Sequence, residues 1–194
     1  MSYNVEIYLI RHGETLWNHQ GRYQGRLDSP LTRQGVEQAR SCGEALAKRE
    51  VAVDHWHSSP LGRAKQTSDI VRSFGNYPRA QSTKRLAEVT AGSWDGLTQE
   101  EIDAEWPGTL DAATQFDWYF RAPDGESYDE AMARVEAWML GLSGIVVAVS
   151  HGLLSRLIRG SYLGLPKDQT LSLSVQQGII WRLKNGSIEI IGDN

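Results

Sequence analysis

Two short apolar runs that end abruptly in a histidine and a glycine constrain this sequence more than any other feature. Val5–Ile10 is followed by Arg11-His12-Gly13, and Ile145–Val149 is followed by Ser150-His151-Gly152. Short apolar runs that stop at turn residues are typical of buried β-strands. Because open α/β sheets bind ligands at the carboxyl ends of their strands, both histidines are predicted to lie at a ligand-binding edge.

Helical patterns separate the predicted strands. Thr32, Ser59 and Ser127 each occupy the position of a helix N-cap, Pro60 suits a first helical residue, and Ser127 starts a capping box with Glu130. Helices are therefore expected over 33–49, 60–74 and 128–140, and a further one over 152–162. Residues 12–32 are expected to form a long loop.

Further strands are predicted over 51–58 and 80–86, and Asn185-Gly186 predicts a terminal hairpin that joins 177–184 to 187–191. Strands that alternate with helices form a mainly parallel sheet with helices on both faces. The predicted fold class is therefore α/β, a three-layer α/β/α sandwich with a mostly parallel central sheet and an antiparallel edge.

Composition limits the classes of partner. The 194 residues, 40% of them apolar, suit one domain over 1–194. The net charge of −4 and the lack of a Lys/Arg cluster argue against nucleic-acid binding. No apolar run is long enough to span a membrane, the N-terminus does not resemble a secretion signal, and there is one cysteine, so a cytoplasmic protein is expected. An edge strand in the terminal hairpin would allow two copies to pair as a homodimer.

Three strand-to-helix junctions carry the residues that suggest chemistry. They hold Arg11 with His12, Ser58 and Ser59 with Arg63, and His151. If the three strands are parallel, these residues meet at one edge of the sheet beside helix N-termini, which favour anions. Arginine forks match phosphate oxygens, so the predicted ligand is a phosphoryl group.

The same residues predict how a phosphoryl group would react. Neutral His12 could attack phosphorus through one ring nitrogen while the other is held as N–H. Arg11, Arg63 and a cationic His151 would neutralise the equatorial oxygens. The chain has no P-loop motif and no C-x-x-C or H-E-x-x-H motif, so neither a metal nor another cofactor is expected.

Arg11-His12-Gly13-Glu14 resembles the signature of the histidine phosphatase superfamily, in its cofactor-dependent phosphoglycerate mutase-like branch. Further blocks match that branch in order along residues 5–152. They are Asn18, Gln24-Gly25, 28–32, 58–67, Leu86-Ala87-Glu88, Gly92, Asp95-Gly96 and 149–152. The resemblance implies a phosphoglycerate mutase-like fold.

The resemblance also implies roles for individual residues. His12 would become the phosphohistidine, and Glu88 would donate a proton to the leaving group and then activate water. The phosphoryl group would be held by Arg11, Arg63, His151 and Gly152, with Asn18 as a lesser contact. His151 also counts among the catalytic residues. Substrate contacts are expected from Gln24, Gly25, Trp118 and Tyr119.

The segment after Glu88 bears on whether the phosphoryl group passes to water or to a second hydroxyl. The family's mutases carry a tyrosine shortly after this glutamate and arginines in an extended insertion, whereas this chain has Ala91 and, between Trp94 and Gly125, Arg121 alone. Eight acidic residues lie there instead: Asp95, Glu100, Glu101, Asp103, Glu105, Asp111, Asp117 and Asp124. We expect this acidic segment to line the pocket and repel a bisphosphoglycerate.

The predicted function is therefore metal-independent hydrolysis of small phosphate monoesters through a phosphohistidine. Two alternatives stay open, a phosphoglycerate mutase and a catalytically inactive protein that binds a phospho-ligand. The segment 94–125 is expected to act as a lid or specificity insertion. Its aromatic residues fit either a lid over the leaving group or a helix packed on the core; they are Trp106, Phe116, Trp118, Tyr119 and Phe120.

Overall fold

A six-stranded sheet forms the centre of the computed structural model, which describes residues 5–114 and 117–192. The strands are β1 (Val5–Arg11), β2 (His55–Ser58), β3 (Gln81–Ser82), β4 (Gly144–Ser150), β5 (Ile180–Lys184) and β6 (Ser187–Ile191). They lie side by side in the order β3-β2-β4-β1-β5-β6. The first four run parallel, and β5 and β6 run antiparallel at one edge.

Helices cover both faces of this sheet. They are α1 (Leu16–His19), α2 (Arg33–Ala47), α3 (Gly62–Arg72), α4 (Gln99–Glu105), α5 (Tyr128–Met139), α6 (Gly152–Leu163) and α7 (Lys167–Ser172). Alternate residues of β1 and β4 enter two separate cores: Ile7 and Leu9 pack with α5 and α6, whereas Tyr8 and Ile10 pack with α2 and α3. The predicted α/β/α sandwich is confirmed.

Capping and turn residues in the sequence predict several elements correctly. The Thr32 hydroxyl accepts a hydrogen bond from the Gly35 N–H at 3.0 Å at the start of α2, and Ser127 forms the expected capping box at the start of α5. Asn185 and Gly186 both have positive φ, at 51° and 73°, as a type I′ hairpin turn requires.

Three predicted strands are shorter than expected. β5 begins at Ile180 rather than at 177, and the other two strands end in turns. Residues 51–54 do not join β2, and the Val53 N–H instead bonds the Val51 carbonyl at 3.0 Å. In the 80–86 region only Gln81–Ser82 pairs, because the Thr83 side chain caps a 3₁₀ helix over Lys84–Leu86. The expected loop 12–32 also contains α1, which starts with a capping box between Thr15 and Asn18.

The predicted start of the second long helix is wrong. α3 begins at Gly62, and its first N–H groups donate to the Asp28 carboxylate: Gly62 makes a short bond and Arg63 bonds at 3.2 Å. The Ser59 hydroxyl accepts from the Leu61 N–H at 3.2 Å and so lies before the helix. A carboxylate from a distant loop thus replaces the expected Ser-Pro cap.

The segment 94–125 contains α4 and 3₁₀ turns over Gly92–Trp94 and Trp118–Arg121. Phe116, one of its aromatic residues, lies outside the described part of the chain. Among the residues that the structure describes, no helix has both the length and the apolar character needed to cross a bilayer.

Replacing Asp28 with Ala is expected to lower the free energy of unfolding by about 1–2 kcal/mol, because the N-terminus of α3 loses its acceptor. Urea denaturation measures the loss. Ser127→Ala is the matched control, since it removes a cap from α5 at a cost of about 1 kcal/mol without touching Arg63. An Asp28→Ala protein as stable as the wild type would contradict this capping role.

Candidate active site

The carboxyl ends of β1, β2 and β4 meet, as the sequence predicts. Arg11 pairs in register with Ser150, and Ser58 pairs with Val149. A cavity of about 210 Å³ opens at this edge. It is lined by Arg11, His12, Asn18, Arg22, Tyr23, Gln24, Gly25, Arg63, Glu88, Tyr119, Gly152, Leu153, Arg156 and Val175.

His12 is buried, and the two hydrogen bonds of its ring show which nitrogen carries the proton. Nδ1 lies 2.8 Å from the Gly13 carbonyl oxygen, which can only accept, so Nδ1 carries the proton. Nε2 accepts from Arg63 Nε at 3.2 Å, so it presents a lone pair. Burial, followed by the charges of Arg63 and Arg11, holds the pKa of His12 well below its ordinary value. The ring is therefore neutral at pH 7.

Arg63 is held in place by acceptors on three sides. Its Nη1 donates to the Leu27 carbonyl at 2.6 Å and to the Asp28 carboxylate at 3.0 Å, and its Nη2 donates to the Gly25 carbonyl at 2.8 Å. The remaining Nε–H points at His12. These bonds hold the Arg63 guanidinium in an orientation in which its Nε–H donates to the lone pair of His12 Nε2.

His151 lies behind His12 and does not line the cavity. The two ring centroids are 5.2 Å apart, and His151 Nε2 lies 2.7 Å from the Ser59 hydroxyl. Its Nδ1 is buried and has no hydrogen-bond partner in the described part of the chain. Burial, and then the charges of Arg63, His12 and Arg11, keep the pKa of His151 well below its ordinary value. His151 is therefore neutral in the free protein, and a cationic His151 beside a bound phosphoryl group stays a prediction.

Arg11 packs against the first residue of α6. A Cβ on Gly152 would lie 3.3 Å from Arg11 Cζ and Nε, so glycine leaves room for the guanidinium. Arg11 Nη1 donates a short hydrogen bond to the Val175 carbonyl, and Nε is buried without a partner among the described residues. Burial lowers the pKa of Arg11 to about 10, so it stays charged at neutral pH. An unpartnered donor in a cavity is suited to an anion.

Glu88 lies at the N-terminus of α6. Its Oε1 accepts from the Val89 and Leu154 N–H groups, both at 3.0 Å, and its Oε2 accepts from the Leu153 N–H at 3.2 Å. These three backbone donors fix the orientation of the Glu88 carboxyl group. The glutamate is nearly buried and lines the same cavity as His12 and Arg63.

Asn18, Gln24 and Gly25 also line the cavity, as predicted. The Asn18 amide oxygen accepts from the Thr15 N–H at 3.2 Å, so its NH₂ group is the donor left for a ligand. The Gln24 amide oxygen accepts from the Ser29 hydroxyl at 3.1 Å. Gly25 has a φ of 47°, and a Cβ there would collide with the Asp95 carboxylate at 1.7 Å.

The aromatic residues of 94–125 divide between cavity and core. Tyr119 lines the cavity, and its hydroxyl donates to the Val89 carbonyl at 2.8 Å. Trp118 does not line the cavity, because it stacks behind Tyr23 with ring centroids 4.3 Å apart. Trp106 and Phe120 pack on the cores. Packing on the core thus holds for Trp106 and Phe120, and the role of the segment as a lid stays a prediction.

The expectation that the acidic segment lines the pocket is wrong. None of its eight carboxylates is among the cavity-lining residues given above. Asp95 accepts from the Thr90 hydroxyl at 2.6 Å and the Ala91 N–H at 2.8 Å, and Asp124 accepts from Ser93. Glu101 pairs with Arg22 at 2.7 and 2.9 Å. Asp95 and Asp124 thus accept hydrogen bonds within turns, Glu101 pairs with Arg22, and none of the three lines the cavity.

Several residues of the cavity wall are not predicted from the sequence. They are Arg22, Tyr23, Leu153, Arg156 and Val175, and Gln177 also contributes, through a hydrogen bond from Nε2 to the His12 carbonyl at 2.9 Å. Leu153 and Arg156 follow the His151-Gly152 pair on α6, at a spacing that faces one side of a helix. That spacing could have indicated that Leu153 and Arg156 face the site, whereas no sequence pattern indicates the other wall residues.

No group of three His, Cys, Asp or Glu side chains suited to a metal ion occurs within residues 5–114 and 117–192. His55 and His57, which share a face of β2, have ring centroids 6.3 Å apart. His57 Nδ1 accepts from the Trp138 indole N–H at 3.1 Å. This pair therefore takes part in packing against α5.

A family model of the histidine phosphatase superfamily (branch 1) matches residues 7–187. The chain belongs to this superfamily. The match spans all the strand ends that form the cavity. It agrees with the resemblance carried by Arg11-His12-Gly13-Glu14 and the blocks that follow it.

Relatives of this chain carry two kinds of name. Proteins named "Probable phosphoglycerate mutase GpmB" from Salmonella arizonae and Enterobacter sp. are 37% and 33% identical to it; they cover 84% and 97% of this chain, which spans 76% and 93% of theirs. A putative alpha-ribazole-5'-P phosphatase from Escherichia coli has a TM-score of 0.83 at 25% identity. A mycobacterial glucosyl-3-phosphoglycerate phosphatase in complex with VO3 has a TM-score of 0.77 at 29% identity. Both comparisons cover 97% of each chain.

The two buried histidines make stability depend on pH. Because the folded-state pKa of each lies below the ordinary 6.5, the unfolded chain binds protons first as the pH falls, and stability is lost below about pH 6.5. We expect His151→Gln to reduce this slope by about 1.4 kcal/mol per pH unit between pH 6.5 and 5. Urea denaturation across this range measures it, and equal slopes would contradict the neutral burial of His151.

Proposed function

We propose that this protein hydrolyses small phosphate monoesters, without a metal, through a phosphohistidine on His12. The observation that carries the proposal is the buried, neutral His12, whose Nε2 lone pair faces Arg63 Nε at 3.2 Å. A substrate phosphoryl oxygen would accept that Arg63 N–H and so release the lone pair. The imidazole would then be a free nucleophile next to a fixed cation.

In the first step His12 Nε2 forms a bond to phosphorus while the bond from phosphorus to the ester oxygen breaks. Arg11 and Arg63 hold the equatorial oxygens, whose charge they neutralise. A contact of His151 with the phosphoryl group, which the proposal also includes, requires this ring to move toward the cavity from its place behind His12. The other side chains need little motion, because His12 and Arg63 are already buried and hydrogen-bonded to each other, and Arg11 lines the same cavity.

Glu88 acts as the general acid in the first step and as the general base in the second. A phosphoryl dianion bound beside a carboxylate favours the protonated acid, which then donates to the leaving alcohol. In the second step the Glu88 carboxylate takes a proton from water, the water oxygen bonds to phosphorus, and the bond to His12 breaks. Inorganic phosphate and neutral His12 result, so the protons balance over the cycle.

The charges around the cavity favour hydrolysis over a transfer that forms a bisphosphoglycerate. Arg121 pairs with Asp117 at 3.1 Å and does not line the cavity, and Arg22 is neutralised by Glu101. Among the described residues that line the site, this leaves one cation beyond Arg11 and Arg63, which is Arg156. A monoester of modest charge suits this arrangement better than a bisphosphorylated acid. The phosphatase names of the two similar structures agree with this choice.

The test is an assay in excess EDTA with a chromogenic phosphate ester, followed by 3-phosphoglycerate with bisphosphoglycerate. We expect free phosphate from the ester, no isomerised product, and no hydrolysis by a His12→Asn control, because asparagine lacks the nucleophilic lone pair. Isomerisation would instead support a mutase. If neither free phosphate nor an isomerised product forms, the result would support a protein that only binds a phospho-ligand.

A further inference from the structure

The peptide unit between Gly13 and Glu14 holds His12 on one side and is itself held by a side chain of α2 on the other. Its carbonyl oxygen lies 2.8 Å from His12 Nδ1, and its N–H donates to Gln38 Oε1 at 2.8 Å. A trans peptide points its C=O and its N–H in opposite directions, so the two bonds lie at opposite edges of one rigid plane. Gln38 therefore helps to set the direction in which this carbonyl meets the imidazole.

The first turns of α2 pack directly on this loop. A Cβ on Gly13 would lie 2.2 Å from the Gly35 carbonyl oxygen, and a Cβ on Gly35 would lie 2.0 Å from the Glu14 carbonyl oxygen. The Thr32 N–H donates to the Glu14 carbonyl at 2.9 Å. Gln38 follows Gly35 by three positions on α2, so its amide reaches the same loop one turn further along the helix. The two hydrogen bonds thus fix two successive peptide units of the loop.

Two contacts keep the proton of His12 on Nδ1 in the free protein. One is the Gly13 carbonyl, and the other is the Arg63 Nε–H group, which donates to Nε2 at 3.2 Å. In the proposed reaction a phosphoryl oxygen accepts the Arg63 N–H, so the second contact is lost when a substrate binds. A phosphoryl oxygen would also accept from an Nε2–H, which favours the tautomer that cannot attack phosphorus. The Gly13 carbonyl then remains to keep the lone pair on Nε2.

We infer that Gln38 is a positioning residue, which acts through this peptide unit to hold His12 in its reactive tautomer and orientation. A hydrogen bond to the N–H of a peptide polarises its C=O, so Gln38 also strengthens the bond that the carbonyl accepts from Nδ1. Gln38 is half-buried and packs against Gly178, where a Cβ would lie 3.2 Å from Gln38 Cγ. The inference rests on the proposed function for the attack by His12, whereas the hydrogen bonds do not depend on it.

The test variant is Gln38→Met, which fills a similar volume, so that little room opens for a water, but offers only a weak acceptor. We expect the rate at which a chromogenic phosphate ester phosphorylates His12 in a single turnover to fall about tenfold at saturating ester. The half-saturating ester concentration should stay the same, because the cavity wall is unchanged. Gln38→Glu keeps an oxygen acceptor and should retain most of the wild-type rate.

Nitrogen-15 NMR of the His12 ring separates positioning from a general loss of structure. At mildly alkaline pH we expect the wild type to carry its proton on Nδ1, both alone and with saturating inorganic phosphate. In Gln38→Met the Nδ1 proton should resonate at higher field and exchange faster with water. Inorganic phosphate should then bring out a second tautomer with the proton on Nε2. The spectrum of His12→Asn assigns the signals.

Gln34→Met is the matched control. Gln34 lies one turn before Gln38 on α2 and lines the same surface groove, but within residues 5–114 and 117–192 it makes no hydrogen bond to the loop after β1. This variant should leave both the rate and the His12 spectrum unchanged. Equal effects of Gln34→Met and Gln38→Met would overturn the inference, because a loosened α2 would then explain them.

A second variant covers the case in which Gln38→Met does not fold. Gln38→Asn keeps an amide on the surface of α2, but it is one methylene too short for the bond to the Glu14 N–H, so the same changes in rate and spectrum are expected. Unchanged rate and spectrum in this variant would count against the inference in the same way as in Gln38→Met.

The spectra also distinguish this inference from the proposed function. An unchanged Nδ1 resonance in the Gln38 variants would overturn the positioning role even if esters are hydrolysed. A shifted resonance with a wild-type rate of phosphorylation would overturn it as well, because the reaction would then not depend on the peptide. A wild-type protein that hydrolyses no ester would instead overturn the phosphatase, while a shifted Nδ1 resonance would still support the role of Gln38 in holding the ring.

Discussion

The whole site depends on two imidazoles that remain neutral because they are buried beside two guanidinium groups. Desolvation and the charges of Arg63 and Arg11 both disfavour a proton on His12 or His151. The Gly13 carbonyl then decides which nitrogen of His12 keeps its hydrogen, and Nε2 is left with its lone pair beside Arg63. The same burial thus keeps His12 neutral and nucleophilic and places the Arg11 and Arg63 guanidinium groups beside it.

Buried and half-buried arginines also connect the far wall of the cavity to this centre. Arg11, Arg156 and Arg159 donate to the carbonyls of Val175, Leu173 and Ser174, three successive residues of one segment between α7 and β5. Guanidinium groups without carboxylate partners need such acceptors when they are taken out of water. The segment 173–175 therefore supplies acceptors to these arginines on the side of the cavity that Arg11, Arg156 and Val175 line.

How much of this the sequence could predict depends on how local each interaction is. His12 and His151 were placed correctly because a strand, a turn and a glycine are consecutive in the chain. The start of α3 was misplaced because its cap, Asp28, lies 34 residues before Gly62. The acidic segment was misjudged because nothing in its composition reveals that Asp95 and Asp124 accept from nearby turns. Arg156 was overlooked because a helical arginine outside a motif looks like any exposed one.

The central claim is that His12 captures phosphorus and that Glu88 completes the cycle. Rapid quenching of Glu88→Gln with a labelled ester whose leaving group needs no proton tests it most directly. The account predicts that acid-labile label accumulates to about one equivalent on His12, because the second step lacks its base. It also predicts no label on His12→Asn. Equal labelling of His12→Asn, or wild-type turnover by Glu88→Gln without any trapped label, would contradict it.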